Sequence, residues 1–232
     1  MAYNFLTIFN DICGRVNENE LSSSAFAGQS TGFYGMVKEA INSTIREINQ
    51  THHEWPFNHD TIEETLSVGL SRYPFPATAS TIDFDSFRVK ENTTFGNKTV
   101  RLKKMTYDDY LKKHVDQEYS TDESLRGTPE YVVQTPSLEY IVVPAPDQEY
   151  EIVYEGYNVG VDLINHDDVP YIPERFKHVI IDGAMYHVYM FRGNEQSANM
   201  SRSKHEDGLK KMRTILVNRF EYVTSTVIQR TK

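Results

Sequence analysis

The sequence has little cysteine, little positive charge and no long apolar run. Cys13 is its only cysteine, which excludes an intrachain disulfide and a zinc site built from several cysteines. A membrane-spanning helix needs about 20 consecutive apolar residues, and no stretch of the sequence approaches that length. The first residues also lack the basic start and the small-residue cleavage site of a signal peptide. We therefore expect no membrane segment and a protein that is kept in a reducing cytoplasm.

The shortage of positive charge argues against a nucleic-acid-binding protein. The chain has 24 Lys and Arg residues against 33 Asp and Glu residues, a net charge of −9. Affinity for a phosphate backbone comes from clustered Lys and Arg side chains. The sequence also contains no phosphate-binding loop, no nucleophile elbow and no dinucleotide-binding fingerprint. These absences favour a protein that is not an enzyme, and we expect no cofactor and no metal.

Helical spacing of apolar residues occurs near both ends of the sequence. The predicted helices cover residues 4–16, about 33–50, 171–193 and about 194–228. The third has Pro173 near its start and Gly193 at its end, as is typical of helices. Its Gly183 and Ala184 would let another helix approach closely. An isolated amphipathic helix is only marginally stable in water, so we expect these four helices to pack against each other.

Short runs of alternating apolar residues fill the middle of the sequence, where many of the 15 tyrosines lie. Tyrosine is enriched in strands and at protein interfaces. Thr106 is expected to cap a short helix between the strands. Pro144, Pro146 and Asp147 suit the turn of a hairpin, because proline cannot donate to a sheet and aspartate favours turns.

Together these patterns predict an α+β fold with two domains. Residues 1–57 and 169–232 would form an antiparallel helical bundle in which the two ends of the chain meet. Residues 58–168 would form an inserted antiparallel β-sandwich or barrel-like domain. The reason for joining the two ends is that the helices on each side have apolar faces with no local partner.

Some titratable residues cluster in the sequence, but their spacing does not indicate a site. The adjacent histidines in His52–Glu54 do not share one helix face, as two metal ligands four residues apart would. The acidic loop His166–Asp168 precedes a helix, where negative charge is normal because of the helix dipole. Cys13 lies between apolar residues and is interpreted as a small core residue.

Asp83 and Asp85 are a further candidate pair for chemistry. They alternate with apolar residues, so both are predicted to lie on one face of a strand. Paired carboxylates can perform acid–base catalysis, including hydrolysis of glycosidic bonds. A solvated strand face is the simpler interpretation.

Several short motifs follow each other in a fixed order between Arg126 and Gln196. They are a Gly-x-Pro before a tyrosine-bearing strand, a Pro-x-Pro-Asp turn before another such strand, a proline that opens a helix, and a Gly-Asn step. The residues that form them are Gly127, Pro129, Tyr131, Pro144, Pro146, Asp147, Tyr150, Pro173, Gly193 and Asn194. Trp55 and Phe57 follow the N-terminal helices in a similar way. In this order the chain resembles the head-to-tail adaptor family of tailed bacteriophages, also called tail tubular protein A.

The resemblance implies a structural virion protein that forms a ring, usually of twelve copies, between the portal and the tail. Its partners would be the portal protein, further copies of itself, and nozzle, tube or fibre proteins of the tail. DNA would pass through an axial channel only as cargo, and an acidic wall would keep it from sticking. The ring would lie in the neck of the virion after assembly in the bacterial cytoplasm.

The last predicted helix has two different halves and is followed by a short basic tail. Residues 194–208 are polar and are expected to bury little, whereas apolar residues recur at helical spacing from Leu209 onward. The resemblance suggests that the tail docks on the portal, and a frayed terminus is the alternative. The predicted portal-binding residues are Val227, Ile228, Gln229, Arg230, Thr231 and Lys232.

Two other functions stay open at this point. One is a tail-associated glycan hydrolase, or another virion-associated enzyme, that uses Asp83, Asp85 or neighbouring carboxylates. The other is a free β-domain binding module that forms no ring.

Overall fold

A computed structural model describes residues 3–52, 54–93, 96–118, 120 and 122–216, and its fold is mixed α+β. The chain divides into two compact units. The helical unit comprises Met1–Phe57 and Gly160–Lys232, and the β unit comprises Asn58–Val159. The predicted mixture of helices and sheets is confirmed.

Helices form most of the helical unit and a small part of the β unit. The α-helices of the described residues are α1 (Phe5–Arg15), α2 (Ser23–Phe26), α3 (Gly32–Thr51), α4 (Tyr107–Lys113), α5 (Val115–Glu118), α6 (Lys177–Phe191) and α7 (Glu195–Leu216). Helices α4 and α5 belong to the β unit. In the helical unit, α6 contacts α1, α3 and α7, so it is the central helix.

Helix α1 begins after Asn4 and buries the apolar face that the sequence pattern predicts. The Asn4 side chain accepts a hydrogen bond from the backbone N–H of Thr7 at 3.0 Å, and the Thr7 hydroxyl accepts one from the backbone N–H of Asn4 at 3.0 Å. This reciprocal pair satisfies donors that the helix itself leaves unpaired. The buried face consists of Phe5, Ile8, Phe9, Ile12 and Val16.

Glycines allow α3, α6 and α7 to approach closely. A Cβ atom on Gly183 of α6 would lie 2.4 Å from Cγ2 of Thr44 on α3 and 2.7 Å from Nδ1 of His205 on α7. A Cβ atom on Gly208 of α7 would lie 2.9 Å from Cγ2 of Val179 on α6. Protein interiors are too densely packed to absorb such overlaps without a shift. The close approach predicted at Gly183 is therefore confirmed.

The polar first half of α7 contributes more to the core than its sequence suggests. Ala198, Ser201, His205 and Gly208 are all buried. The Nδ1 atom of His205 lies 2.8 Å from the carbonyl oxygen of Val179, so the imidazole N–H donates to α6. The expectation that this half buries little was wrong, because small side chains and one hydrogen-bonded histidine form its inner face.

The β unit contains two sheets within its described residues. Its strands are β1 (His59–Leu66), β2 (Arg72–Pro74), β3 (Ala79–Ile82), β4 (Arg88–Thr93), β5 (Gly96–Arg101), β6 (Lys103–Met105), β7 (Tyr131–Gln134), β8 (Glu139–Val143) and β9 (Tyr150–Asn158). The first sheet has the order β1-β9-β4-β5, with β3 also paired to β9. The second has the order β2-β8-β7-β6.

One strand pair departs from the predicted antiparallel arrangement. Strand β6 pairs with β7 in parallel, while the other pairs are antiparallel. Parallel neighbours need a long crossover, and residues 106–130, which include α4, supply it. Thr106 caps α4 as predicted, because its hydroxyl accepts a hydrogen bond from the N–H of Asp109 at 3.2 Å.

Both sheets contribute side chains to one aromatic core. Phe87 and Tyr154 stack with ring centroids 4.3 Å apart and an interplanar angle of 5°. Tyr140 is fully buried, and its hydroxyl donates to Oε2 of Glu64 at 2.5 Å. The second sheet is also covered on its other face, where Tyr110 of α4 packs in a cluster with Val133 and with residues of β8.

The predicted hairpin around Pro144 and Pro146 is wrong. Strand β8 belongs to the second sheet and β9 to the first, so the two strands that this turn connects do not pair. Other segments bind the carbonyl groups of the turn instead. The N–H of Gly127 donates to the Ala145 carbonyl at 2.9 Å, and the N–H of Gly69 donates to the Pro146 carbonyl at 2.8 Å. The turn therefore carries the chain from one sheet to the other.

The boundary predicted at residue 168 also needs correction. Residues 160–168, predicted from their sequence to end the β domain, belong to the helical unit. Leu163 is buried in the helical core, and its backbone is hydrogen-bonded to Asn42 of α3. These contacts, between residues far apart in the sequence, are not visible as a local pattern.

Candidate interaction surfaces

Asn42 fixes the loop that leads from the β unit into α6. Its amide nitrogen donates to the Leu163 carbonyl at 3.0 Å, and its Oδ1 accepts from the Leu163 N–H at 3.0 Å. Both residues are buried, with exposed fractions of 8% and 6%. A buried backbone group that lacks a partner is costly, so this reciprocal pair holds the loop firmly on α3.

Asp168 fixes the next part of the same loop. Its Oδ2 accepts hydrogen bonds from the N–H groups of Ile164 at 2.6 Å and Asn165 at 2.7 Å, and these bonds lower the pKa of Asp168. The carbonyl of Asp168 accepts from the N–H of Phe5 at 2.8 Å. That N–H lies in the first turn of α1, where no helical carbonyl is available. The loop therefore supplies a hydrogen-bond acceptor to the first turn of α1, and the Asp168 side chain also closes the turn of the loop.

The anchored loop turns large apolar side chains toward solvent. Val161, Ile164, Val169 and Tyr171 are 61%, 76%, 59% and 58% exposed. All four line one open cavity of about 260 Å³ in the helical unit. Exposed apolar groups that are gathered in this way mark interaction sites more often than scattered ones do. We call these four residues the apolar loop surface.

The apolar loop surface has an acidic environment. Residues 160–173 contain three aspartates and no Lys or Arg. Asp162 binds Arg46 of α3 through two hydrogen bonds of 2.9 and 2.5 Å, and these bonds raise the pKa of Arg46. Glu39 accepts a further bond from Arg46 at 2.9 Å. These exposed ion pairs contribute little stability, and the group keeps an excess of negative charge.

Helix α7 presents an exposed face with the opposite charge. Residues 200, 204, 211 and 215 follow each other at intervals of four, seven and four, so they lie on one side of the helix. Met200 is 58% and Ile215 61% exposed. Lys204 and Lys211 lie between them, and within the described part of the chain neither lysine forms an ion pair. We call these four residues the α7 stripe. Asp207 lies on the same side of the helix but is paired with Lys210 at 3.5 Å, so the face keeps an excess of positive charge.

The motif residues of the β unit hold the crossing between the sheets together. The hydroxyl groups of Thr128 and Tyr150 lie 2.8 Å apart, and the Tyr150 hydroxyl also donates to Oδ1 of Asp147 at 2.8 Å. Two motifs that are about twenty residues apart in the sequence thus meet in one hydrogen-bonded group. Their role in the described structure is to position backbone segments.

Asp83 and Asp85 do not form the predicted carboxylate pair on a strand. Strand β3 ends at Ile82, and both residues lie in the turn that follows it. Oδ1 of Asp83 accepts from the N–H of Asp85 at 2.9 Å, and the N–H of Asp83 donates to the Glu155 carbonyl at 2.9 Å. Asp83 thus stabilises its own turn, and the geometry gives no support to acid–base chemistry.

The other candidates occupy structural positions or lie outside the described residues. The ring of His52 packs edge-on against Trp55, with centroids 5.2 Å apart. Burial raises the pKa of the Cys13 thiol to about 11, which disfavours the reactive thiolate. His53 and the predicted portal-binding residues Val227–Lys232 lie outside the described residues.

Sequence reasoning missed both the apolar loop surface and the α7 stripe. The available signal was the run from Gly160 to Pro173, in which apolar residues alternate with aspartates without helical or strand spacing. Residues 160–168 of this run were predicted to end the β domain, and residues 169–173 to begin the helical bundle. The exposure of its apolar residues depends on Asn42, which is 121 positions from Leu163.

None of the described helices has both the length and the apolar character needed to cross a membrane.

Comparison with known proteins identifies a family. The sequence matches no curated protein. A model of the family described as SU10 adaptor protein matches residues 3–230, which include parts of both units. The chain therefore belongs to the SU10 adaptor family, which confirms the prediction of a phage head-to-tail adaptor family.

Proposed function

We propose that the chain is a head-to-tail adaptor that forms a ring on the phage portal, supports tail attachment and leaves an axial channel for DNA. The observation that carries the proposal is the family match over residues 3–230. A match of that length covers both units, so the whole chain is accounted for by one structural role. A protein of this family is a structural component of the virion and interacts with other virion components.

Within this proposal, the helical unit acts as an antiparallel bundle that contacts the portal and neighbouring copies. The β unit acts as an inserted sandwich-like domain that serves the tail side and its nozzle, tube or fibre proteins. Twelve copies, as the resemblance implies, would complete the ring in the neck of the virion.

The distribution of charge supports passive conduction of DNA. The β unit contains 18 of the 33 acidic residues and 10 of the 24 basic residues, a net charge of −8, which leaves −1 for the helical unit. An acidic surface repels DNA over a distance of about 8–10 Å at physiological salt. We expect the isolated protein to show no binding to duplex DNA in a gel-shift assay at that salt. Tight binding would contradict the passive role.

The basic tail is proposed to anchor the ring to the portal. Val227 and Ile228 supply apolar anchors, and Arg230 and Lys232 supply positive charge.

The test is co-assembly with the portal protein of the same phage. Purified portal and adaptor are mixed and separated by size-exclusion chromatography, and the complex is imaged by negative-stain electron microscopy. We expect a portal with one added ring. A chain that never co-elutes with portal contradicts the adaptor role. A variant without Thr226–Lys232 is expected to keep its melting temperature and to lose co-assembly. If it still assembles, the docking surface lies elsewhere.

A further inference from the structure

Two exposed surfaces of the helical unit have complementary chemistry. The apolar loop surface carries Val161, Ile164, Val169 and Tyr171 in an acidic environment. The α7 stripe carries Met200 and Ile215 with two lysines between them, and the aspartate on the same side, Asp207, is paired with Lys210. An apolar surface with an acidic border and an apolar surface with basic residues match each other in both respects. Both surfaces belong to this chain, so a second copy of the chain can supply the complementary surface.

We propose that the apolar loop surface of one copy binds the α7 stripe of a second copy. The two surfaces are different, so the contact is heterologous: each copy keeps one free loop surface and one free stripe after pairing. Repeated contacts of this kind close into a ring when the rotation between copies permits it. The proposal deepens the proposed function, on which it rests, by naming the surfaces through which copies meet.

The loop is held in place before it binds. Asn42 binds Leu163 through two hydrogen bonds, and Asp168 accepts from two N–H groups within the loop. A preformed surface loses less conformational entropy on binding than a flexible one. The stripe lies on α7, a helix of 22 residues, whose backbone is likewise ordered before binding. Both surfaces can therefore meet a partner without rearrangement.

The proposed contact has an apolar centre and charged borders. Ile164, at 76% exposed, is the most exposed large side chain of the loop surface. Asp167, three residues after Ile164, is exposed and can pair with Lys204 or Lys211 of the next copy, whereas Asp162 is already bound to Arg46. Charge pairs at the border of an interface set orientation and association rate more than affinity. Apolar anchors at the centre carry most of the binding free energy.

The experiment uses two variants of the full chain that each remove one surface. The loop variant combines Ile164→Glu with Val169→Glu, and the stripe variant combines Met200→Glu with Lys211→Glu. All four side chains are exposed, so we expect unchanged melting curves by circular dichroism. A control variant, Leu138→Glu, changes an equally exposed apolar residue of the β unit, at 76%.

Sedimentation velocity over a wide range of protein concentration distinguishes the outcomes. We expect the unmodified chain and the control variant to associate. We expect each surface variant alone to sediment as a monomer, with a dissociation constant raised by roughly tenfold or more. An equal mixture of the two variants should form a heterodimer and nothing larger, because each partner offers one intact surface.

Three results overturn the proposal: an unmodified chain that stays monomeric at every concentration, a surface variant that associates like the unmodified chain, or a mixture that stays monomeric. The last result would mean that the two surfaces do not bind each other. These failures are distinct from failure of the adaptor role. A chain that joins the portal without the contact keeps its function, and one that self-associates but never joins the portal loses it.

Discussion

The core of the helical unit consists mainly of aliphatic and phenyl side chains, whereas the core of the β unit contains fully or nearly fully buried tyrosines. In the helical unit, Ile8, Ile12, Ile41 and Ile48 have exposed fractions of 0%. In the β unit, Tyr140 and Tyr154 are equally buried, edge-on to each other, and Tyr154 also stacks on Phe87. Each buried phenol adds a hydroxyl group that needs a partner.

This difference shows two ways to stabilise parts of one chain. The helical unit has no spare volume at Gly183, where a single added carbon would overlap Thr44, and its buried Asn42 and His205 are hydrogen-bonded to backbone carbonyl groups. The β unit depends on placed polar partners as well, such as Glu64 for the Tyr140 hydroxyl. We therefore expect the helical unit to be sensitive to size and charge in its core, and the β unit to be sensitive also to the loss of single hydroxyl groups.

The largest effect is expected from Ile41→Asp in the helical unit. Ile41 is fully buried on α3, and an unpaired charge there adds to the loss of a large apolar side chain. The expected loss is about 4 kcal/mol or more, measured as a shift of the urea unfolding midpoint. Gln50→Asp places the same charge at an exposed position of the same helix and should change little. Equal midpoints for the two variants would falsify the assignment of the buried face.

A somewhat smaller effect is expected from Phe87→Ala in the β unit. Phe87 is fully buried and stacks on Tyr154 at 4.3 Å. Truncation of a core phenylalanine to alanine costs about 3–5 kcal/mol, which thermal and urea unfolding both measure. Val100→Ala, at a 37% exposed position of β5, is the control. If the two variants unfold alike, the stacked rings do not form the core of this unit.

Removal of one tyrosine hydroxyl group from each unit tests whether the β unit depends more on buried hydroxyl groups. The Tyr73 hydroxyl accepts from the N–H of Ser67 at 2.9 Å and donates to the Leu70 carbonyl at 2.9 Å. Tyr73→Phe leaves these groups without that partner and should cost about 1 kcal/mol. Tyr34→Phe in the helical unit removes an exposed hydroxyl 3.4 Å from the Asn19 carbonyl and should cost nothing measurable. Equal losses would contradict the dependence of the β unit on buried hydroxyl groups.

The smallest effect is a difference in acid sensitivity. Burial lowers the pKa of His187 in the helical unit below its ordinary value of 6.5. Hydrogen bonds from Arg72 lower the pKa of Glu118 in the β unit below its ordinary value of 4.5. For both groups the unfolded chain binds protons more readily, so stability falls as the pH falls. The His187 contribution is lost first, below about pH 6.5, and the Glu118 contribution only below about pH 4.5.

Substitution separates these two contributions. His187→Gln should remove part of the loss of stability between neutral pH and the depressed pKa of the histidine, and should leave the more acidic range unchanged. Glu118→Gln should do the reverse. Chemical denaturation at a series of pH values measures both. A variant whose pH dependence is identical to that of the unmodified chain would show that its residue does not titrate with folding.

The sequence by itself determined the features that arise from neighbours along the chain. The spacing of Phe5, Ile8, Phe9 and Ile12 defined a helix face, Thr106 capped α4, and Gly183 marked a close approach of helices. The order of motifs between Arg126 and Gln196 indicated the adaptor family. These signals are readable because helix periodicity, caps and turns depend on residues within a few positions of each other.

Only the tertiary structure decided which distant segments meet. It placed β8 and β9 in different sheets, paired β6 with β7 in parallel, and put Asp83 and Asp85 in a turn and not in the predicted strand. It also joined the loop at Leu163 to Asn42, which is 121 positions away, and thereby exposed the apolar side chains of that loop. Such contacts are selected by the packing of the whole core and by the need to satisfy each buried polar group. No local pattern of residues contains that information.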